Sequence, residues 1–232
     1  MRRYLFGFYK NGNMRFISHL DLQRLFKRCI KKAGIKPAYS QGFNPHEKIN
    51  IVLPLSLGFE TERDYFELDS EIEYEPQFLL DGMNSALPEG IKFTFCKEIP
   101  FAYKNASSFV QYSDYSIFLP SSHNLDIDAF IIKEPITIFK RDKKTKKTVE
   151  KELDKSWIRL VEKEFENEEG TGLHMILRSA SNETLNPVNL CESLCRFCNQ
   201  PFDKEGLRAM RHDIYGLKDG ELISASVMFC GE

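Results

Sequence analysis

The apolar residues at the start of the chain change their period once, from the two of a strand to the roughly 3.6 of a helix, and this limits the folds open to it. Residues 3–9 alternate and are rich in aromatic side chains, a strand pattern. Between residues 18 and 33, Leu22, Leu25, Phe26, Cys29, Ile30 and Ala33 fall at i, i+3, i+4, i+7, i+8 and i+11, one apolar stripe on one helix. Ser18 is placed to cap that helix, with Asp21 three residues on near its positive end. Gly34 supplies a stop.

The following segments extend the pattern. Residues 48–53 and 63–69 read as strands, Pro76 to Leu87 as a helix with Phe78, Leu79, Met83 and Leu87 inward, and Ile91 to Glu98 as a strand. Strand, helix, strand, strand, helix, strand is the ferredoxin-like order, an antiparallel sheet with both helices on one face. After a polar link near Lys104 to Ser108 the order recurs approximately. Phe109 to Leu119 reads as a strand and Leu125 to Ile132 as a short helix. Ile136 to Arg141 and Val149 to Leu153 read as hairpin arms around a lysine-rich tip at 140–147. Trp157 to Phe165 and Leu173 to Ser179 read as strands. Asn186-Pro187 opens a helix to about Asn199, with Pro at its permitted first position, and 207–214 and 222–229 close the chain as strands. The expectation is an α+β protein of two ferredoxin-like (βαββαβ-type) units with antiparallel sheets, residues 1–104 and a decorated 105–232.

No apolar run approaches the ~20 residues of a membrane helix, so no membrane partner is expected. The basic, then apolar start is too short for a signal peptide and is followed by no small-residue cleavage site, which points to the cytoplasm. In a reducing compartment the six cysteines at 29, 96, 191, 195, 198 and 230 read as small buried hydrophobes. The net charge of −2 hides an asymmetry: residues 1–50 hold eleven Lys and Arg against Asp21 and Glu47, or +9, so the remainder sums to −11. A basic N-terminal third either presents a positive field to an anionic partner or is simply a solvated helix face.

The richest stretch is Tyr39-Ser40-Gln41-Gly42-Phe43-Asn44-Pro45-His46-Glu47-Lys48, preceded by Arg15-Phe16-Ile17-Ser18-His19-Leu20-Asp21. The two bracket the basic helix. Gly42 and Asn44-Pro45 form turns, and the other residues offer hydrogen-bonding groups and flat apolar faces, so the loop looks more like a site than a connector. These two motifs, with Leu53-Pro54-Leu55-Ser56-Leu57-Gly58, resemble the bacterial radical SAM-linked proteins, free-standing or fused behind a radical SAM enzyme. The resemblance is firm to about residue 100 and implies a radical SAM enzyme as partner.

Aromatic rings stack on splayed bases, amides read base edges, and Lys or Arg neutralise phosphate. The RNA-binding candidates are therefore Arg15, His19, Arg24, Arg28, Tyr39, Ser40, Gln41, Gly42, Phe43, Asn44, His46 and Lys48. Tyr39 and Phe43 equally suit a sheet core, and each histidine a backbone bond at a turn. A catalytic alternative uses His19 and His46 as base and acid, with Lys48 stabilising a phosphorane, a layout similar to the CRISPR repeat-processing endoribonucleases.

Cys191-x-x-x-Cys195-x-x-Cys198 has the iron–sulfur ligand spacing of radical SAM enzymes. It lies on an expected helix, where i, i+4 and i+7 share one face with Leu190, Leu194 and Phe197. Core packing is the preferred reading, and a structural zinc or cluster the alternative. His123, His174 and His212 have no partner at a diagnostic spacing, and Trp157 reads as core. The segment 53–58 reads as a structural turn or, alternatively, as a partner contact. No phosphate-binding glycine loop, HExxH motif or dinucleotide fingerprint is present, so no cofactor is expected. Three functions fit: a non-catalytic accessory protein presenting transfer or ribosomal RNA to a radical SAM partner, a metal-independent ribonuclease, and a protein–protein adaptor. The first is preferred.

Overall fold

The computed structural model describes residues 1–100, 105–141 and 147–231. Most of the expected lysine tip, residues 142–146, and Lys104 of the expected link lie outside them. In chain order the elements are β1 (Arg2–Lys10), α1 (His19–Lys32), β2 (Ile49–Ile51), β3 (Glu60–Ser70), α2 (Pro76–Asn84) and β4 (Ile91–Ile99). There follow β5 (Tyr112–Pro120), α3 (Ile127–Ile132), β6 (Ile136–Arg141), β7 (Thr148–Leu153), β8 (Ile158–Asn167) and β9 (Gly170–Ala180). The last are β10 (Glu183–Thr184), α4 (Pro187–Phe197), β11 (Arg208–Lys218), β12 (Glu221–Ser224) and α5 (Ala225–Cys230). Short 3₁₀ turns occupy 12–16, 106–108 and 155–157. The protein is mixed α+β with mostly antiparallel sheet. It forms two compact units, residues 1–111 with 211–232, and residues 112–210. The segment 211–232, read from sequence as part of the second domain, lies in the first unit.

In the first unit β1 lies between β3 and β4, antiparallel to both. β3 also pairs with β2 and β11, and β11 with β12. Successive side chains of a strand face opposite sides, and β1 is buried on both. Tyr4, Phe6 and Phe8 meet Leu22, Leu25, Phe26, Cys29 and Ile30 of α1 and Leu79 and Met83 of α2. Leu5 packs instead with Val52, Tyr65, Ile99, Val110, Ile214 and Ala225. Phe26 anchors the helix layer, its ring 5.3 Å from Phe8, 5.0 Å from Phe66 and 4.9 Å from Phe93. Each such buried aromatic contributes about 1.5–3 kcal/mol of apolar burial.

A buried ion pair joins the two stretches of chain that make this unit. Arg211, 1% exposed, donates to both oxygens of Asp64 at 2.9 and 2.7 Å, and to the Leu53 carbonyl at 2.9 Å. Lys10, also buried, donates to the Phe59 carbonyl at 2.6 Å, and its desolvation lowers its pKa to about 8. The two cations grip the ends of the 53–59 segment through its carbonyls.

In the second unit β9 lies between β5 and β8, antiparallel to both, and β6 and β7 form a separate hairpin. Alternate residues of β5 and β9 are buried, among them Ile117, Leu119, Leu173, Met175 and Leu177. Asn186 caps α4, its Oδ1 accepting the Val188 N–H, and Pro187 takes the first turn. The helix buries Leu190, Cys191, Leu194 and Cys195.

Four local expectations change. Phe78 is half-exposed and stacks on Tyr74 at 5.8 Å, because α2 turns Leu79 and Met83 inward. α2 stops at Asn84, short of Leu87. The expected strand 222–229 divides at Ser224, whose Oγ accepts the Val227 N–H and starts α5, and Gly231 at φ +71° ends it. Trp157 belongs to the turn before β8 and is half-buried, not core.

Candidate functional site

The loop after α1 is a hairpin. Tyr39 and Glu47 face each other in an antiparallel bridge. The Ser40 N–H donates to the His46 carbonyl at 2.8 Å, the His46 N–H to Ser40 Oγ at 3.0 Å, and the Lys48 N–H to the Ala38 carbonyl at 2.7 Å. Ala38 and Lys48 are in turn bonded to the Asp69 backbone, which fixes the arms to β3. Only the tip stands free. Gln41 to His46 are all exposed, Gly42 takes φ +125°, and Phe43 is fully exposed at 106%. Phe43 is therefore no sheet-core anchor.

At the base of the hairpin Tyr39, 49% exposed, lines a groove of about 450 Å³ against α1. The opposite wall is Lys27, Arg28 and Lys31, and the floor Ile30, Ile35 and Pro37. Lys27 is ion-paired to Glu47 at 2.9 Å, which holds that carboxyl below its usual range. Arg28 and Lys31 have no ion pair with any described residue. Arg24, four residues before Arg28, is paired to Asp21 at 2.8 Å, and Asp21 also accepts the hydroxyl of the capping Ser18.

The remaining candidates are dispersed. Lys48 points away from the groove, as strand alternation requires of the neighbour of Glu47. It lines a smaller cleft of about 180 Å³ with Arg3, Asn50, Glu67 and Asp69. His19 is the first residue of α1 and half-exposed, while His46 is exposed on the hairpin. No hydrogen bond or ion pair joins the two histidines. Arg15 lies over the Phe16 ring at 4.7 Å. Lys27, Lys31 and Pro37 were not among the sequence candidates; the helical spacing of Lys27, Arg28 and Lys31 was visible, but the wall they face was not.

Cys191 and Cys195 are fully buried on α4, and burial raises both thiol pKa values. Cys195 Sγ is 3.6 Å from Ser122 Oγ, and Cys198 Sγ accepts the Asp126 N–H at 3.3 Å. Among the described residues no group of three or more His, Cys, Asp or Glu is disposed to hold a metal ion.

Folding also gives His174 partners that its spacing did not reveal. Its Nε2 is 2.8 Å from Asp114 on β5, and its Nδ1 3.1 Å from Glu162 on β8. Burial disfavours the imidazolium, yet the bonds to Glu162 and Asp114 outweigh it and raise the pKa.

Among the described residues no helix is long and apolar enough to cross a membrane. Residues 3–187 match a family described as an uncharacterized protein conserved in bacteria (DUF2344). No curated protein matches the chain.

Proposed function

The chain belongs to the bacterial family DUF2344, and we propose that its α1 groove and hairpin tip form one binding surface for single-stranded RNA. The observation that carries this reading is the half-exposed Tyr39 ring set in a groove walled by Arg28 and Lys31. A base stacks on Tyr39, where stacking contributes about 1–3 kcal/mol, and the adjoining phosphates meet Arg28 and Lys31. Glu47 occupies Lys27, so Lys27 positions the hairpin. Phe43 offers a second stacking face beyond the groove, and Gln41 and Asn44 offer base-edge contacts. Arg24, one turn before Arg28 and paired to Asp21, continues the basic face of α1. Binding needs no catalytic pair, and the motif resemblance favours presentation of the RNA to a radical SAM enzyme. The strand order β4-β1-β3-β2 supports a ferredoxin-like reading of the first unit.

The adaptor reading has its own observation. Phe16, Leu20 and Leu57 are all more than half-exposed, and the Gly58 N–H donates to the Arg15 carbonyl, which brings two of the three segments together. Crosslinking and sequencing of RNA bound in the native cells separates the two. A defined RNA enriched by the intact protein and lost in the Tyr39→Ala, Phe43→Ala double variant supports RNA binding. No enrichment over an untagged control overturns it and leaves the adaptor. Phosphate contacts also weaken steeply with salt, whereas an apolar partner contact does not.

A further inference from the structure

A cavity of about 380 Å³ lies within the second unit, where β6–β7, the Trp157 turn, the β9–β10 turn and the start of α4 meet. We propose that it is a separate binding site for a nucleobase. Its lining includes Trp157, Ser181, Asn182, Asn189, Lys151 and Glu152. The fold places the flat ring and the amides independently. Asp154 caps the 155–157 turn by accepting the Ser156 N–H at 2.9 Å, which sets the indole at the cavity wall. Asn186 is consumed as the cap of α4, but Asn189 stands one turn further in, and Asn182 projects from the β9–β10 turn.

Three of the polar groups facing the cavity lack protein partners of their own, whereas Thr184 donates its hydroxyl to the Ala180 carbonyl and Asn186 caps α4. Among the described residues, the Trp157 indole N–H and the side-chain amides of Asn182 and Asn189 make no hydrogen bond. Each amide offers a donor pair and an acceptor, which matches the mixed edge of a base, and an indole supplies the stacking face. Lys151 and Glu152 carry opposite charges, so the lining has no net sign to select a phosphate or an amine. The volume falls at the lower end of small-ligand pockets. The base can come from a free mononucleotide or from an unstacked position in an RNA strand.

Trp157 is the only tryptophan in the chain, so its fluorescence reports this site alone. The experiment titrates the full chain with AMP, GMP, CMP and UMP, with single-stranded tetranucleotides, and with maltose as a sugar control. Saturable quenching by at least one nucleotide, weakened about tenfold in both Asn182→Ala and Asn189→Ala at unchanged melting temperature, is expected; tenfold corresponds to about 1.4 kcal/mol. Equal affinity for mononucleotide and tetranucleotide assigns the site to free nucleotides, and tighter tetranucleotide binding assigns it to a strand. No saturable quenching at millimolar nucleotide overturns the proposal, as does quenching that both variants leave unchanged or that maltose reproduces. Where an alanine variant does not fold, Asn182→Asp and Asn189→Asp serve in its place, with the same weakening expected. The Tyr39→Ala, Phe43→Ala variant titrates as wild type, so this site and the α1 groove stand or fall separately.

Discussion

The Lys27 ammonium lies 2.9 Å from Glu47, joining the third turn of α1 to the returning arm of the 38–48 hairpin. Both side chains are about one-third exposed, at 34% and 29%. The pair sits where the groove begins, so it orients Tyr39 more than it stabilises the fold. A double-mutant cycle with Lys27→Ala and Glu47→Ala is expected to give a coupling below about 1 kcal/mol in urea denaturation. Hydrogen exchange at the Ser40 and Lys48 amides, which close the hairpin, accelerates in either single variant.

Phe43 and Phe93 make opposite predictions from one residue type. Phe43→Ala leaves the urea midpoint unchanged, within about 0.5 kcal/mol, because the ring contacts solvent. Phe93→Ala removes a ring buried among Phe6, Phe8, Phe26 and Phe66 and costs about 3–5 kcal/mol. Only the first variant is then informative about binding.

Arg211→Met strands the Asp64 carboxylate in the interior. Loss of one partner of a buried pair costs about 3–5 kcal/mol, while replacing both with apolar residues is often neutral. Urea denaturation should therefore show Arg211→Met, Asp64→Leu to be more stable than Arg211→Met alone.

His174 ties stability to pH. Its folded pKa lies above the unfolded value of about 6.5, so the imidazolium is favoured by folding. That contribution is complete below about pH 6.5 and is lost as pH rises through the folded value. Thermal melts of wild type and His174→Gln should converge on the alkaline side of this window, with wild type the more stable below it. An NMR titration of the imidazole that gives a folded pKa at or below 6.5 contradicts the prediction.

Sequence and structure agree where local chemistry decides. Ser18 caps α1, with Asp21 returning its bond, and the Leu22-to-Ile30 stripe is the buried face. Alternation along 46–48 also carries the information that Glu47 and Lys48 face opposite sides, which separates Lys48 from the groove. The pattern misleads where a cap competes with alternation: residues 222–229 alternate well enough for a strand, but the Ser224 hydroxyl starts a helix within them. Trp157 looks like core by composition, yet its turn holds it at a cavity wall. His174 is bonded to residues 60 and 12 positions away in the chain, and only strand pairing reveals them.

The Arg211–Asp64 pair spans 147 residues of chain. A ribosome adding roughly 5–20 residues per second adds Asp64 about 7–30 s before its partner. Throughout that interval the first unit lacks β12, α5 and most of β11, and Asp64 lacks the guanidinium that it meets in the folded chain. Residues 112–210 are complete before the first unit is. The inserted unit is therefore fully synthesised first, and the unit that surrounds it in sequence is completed last.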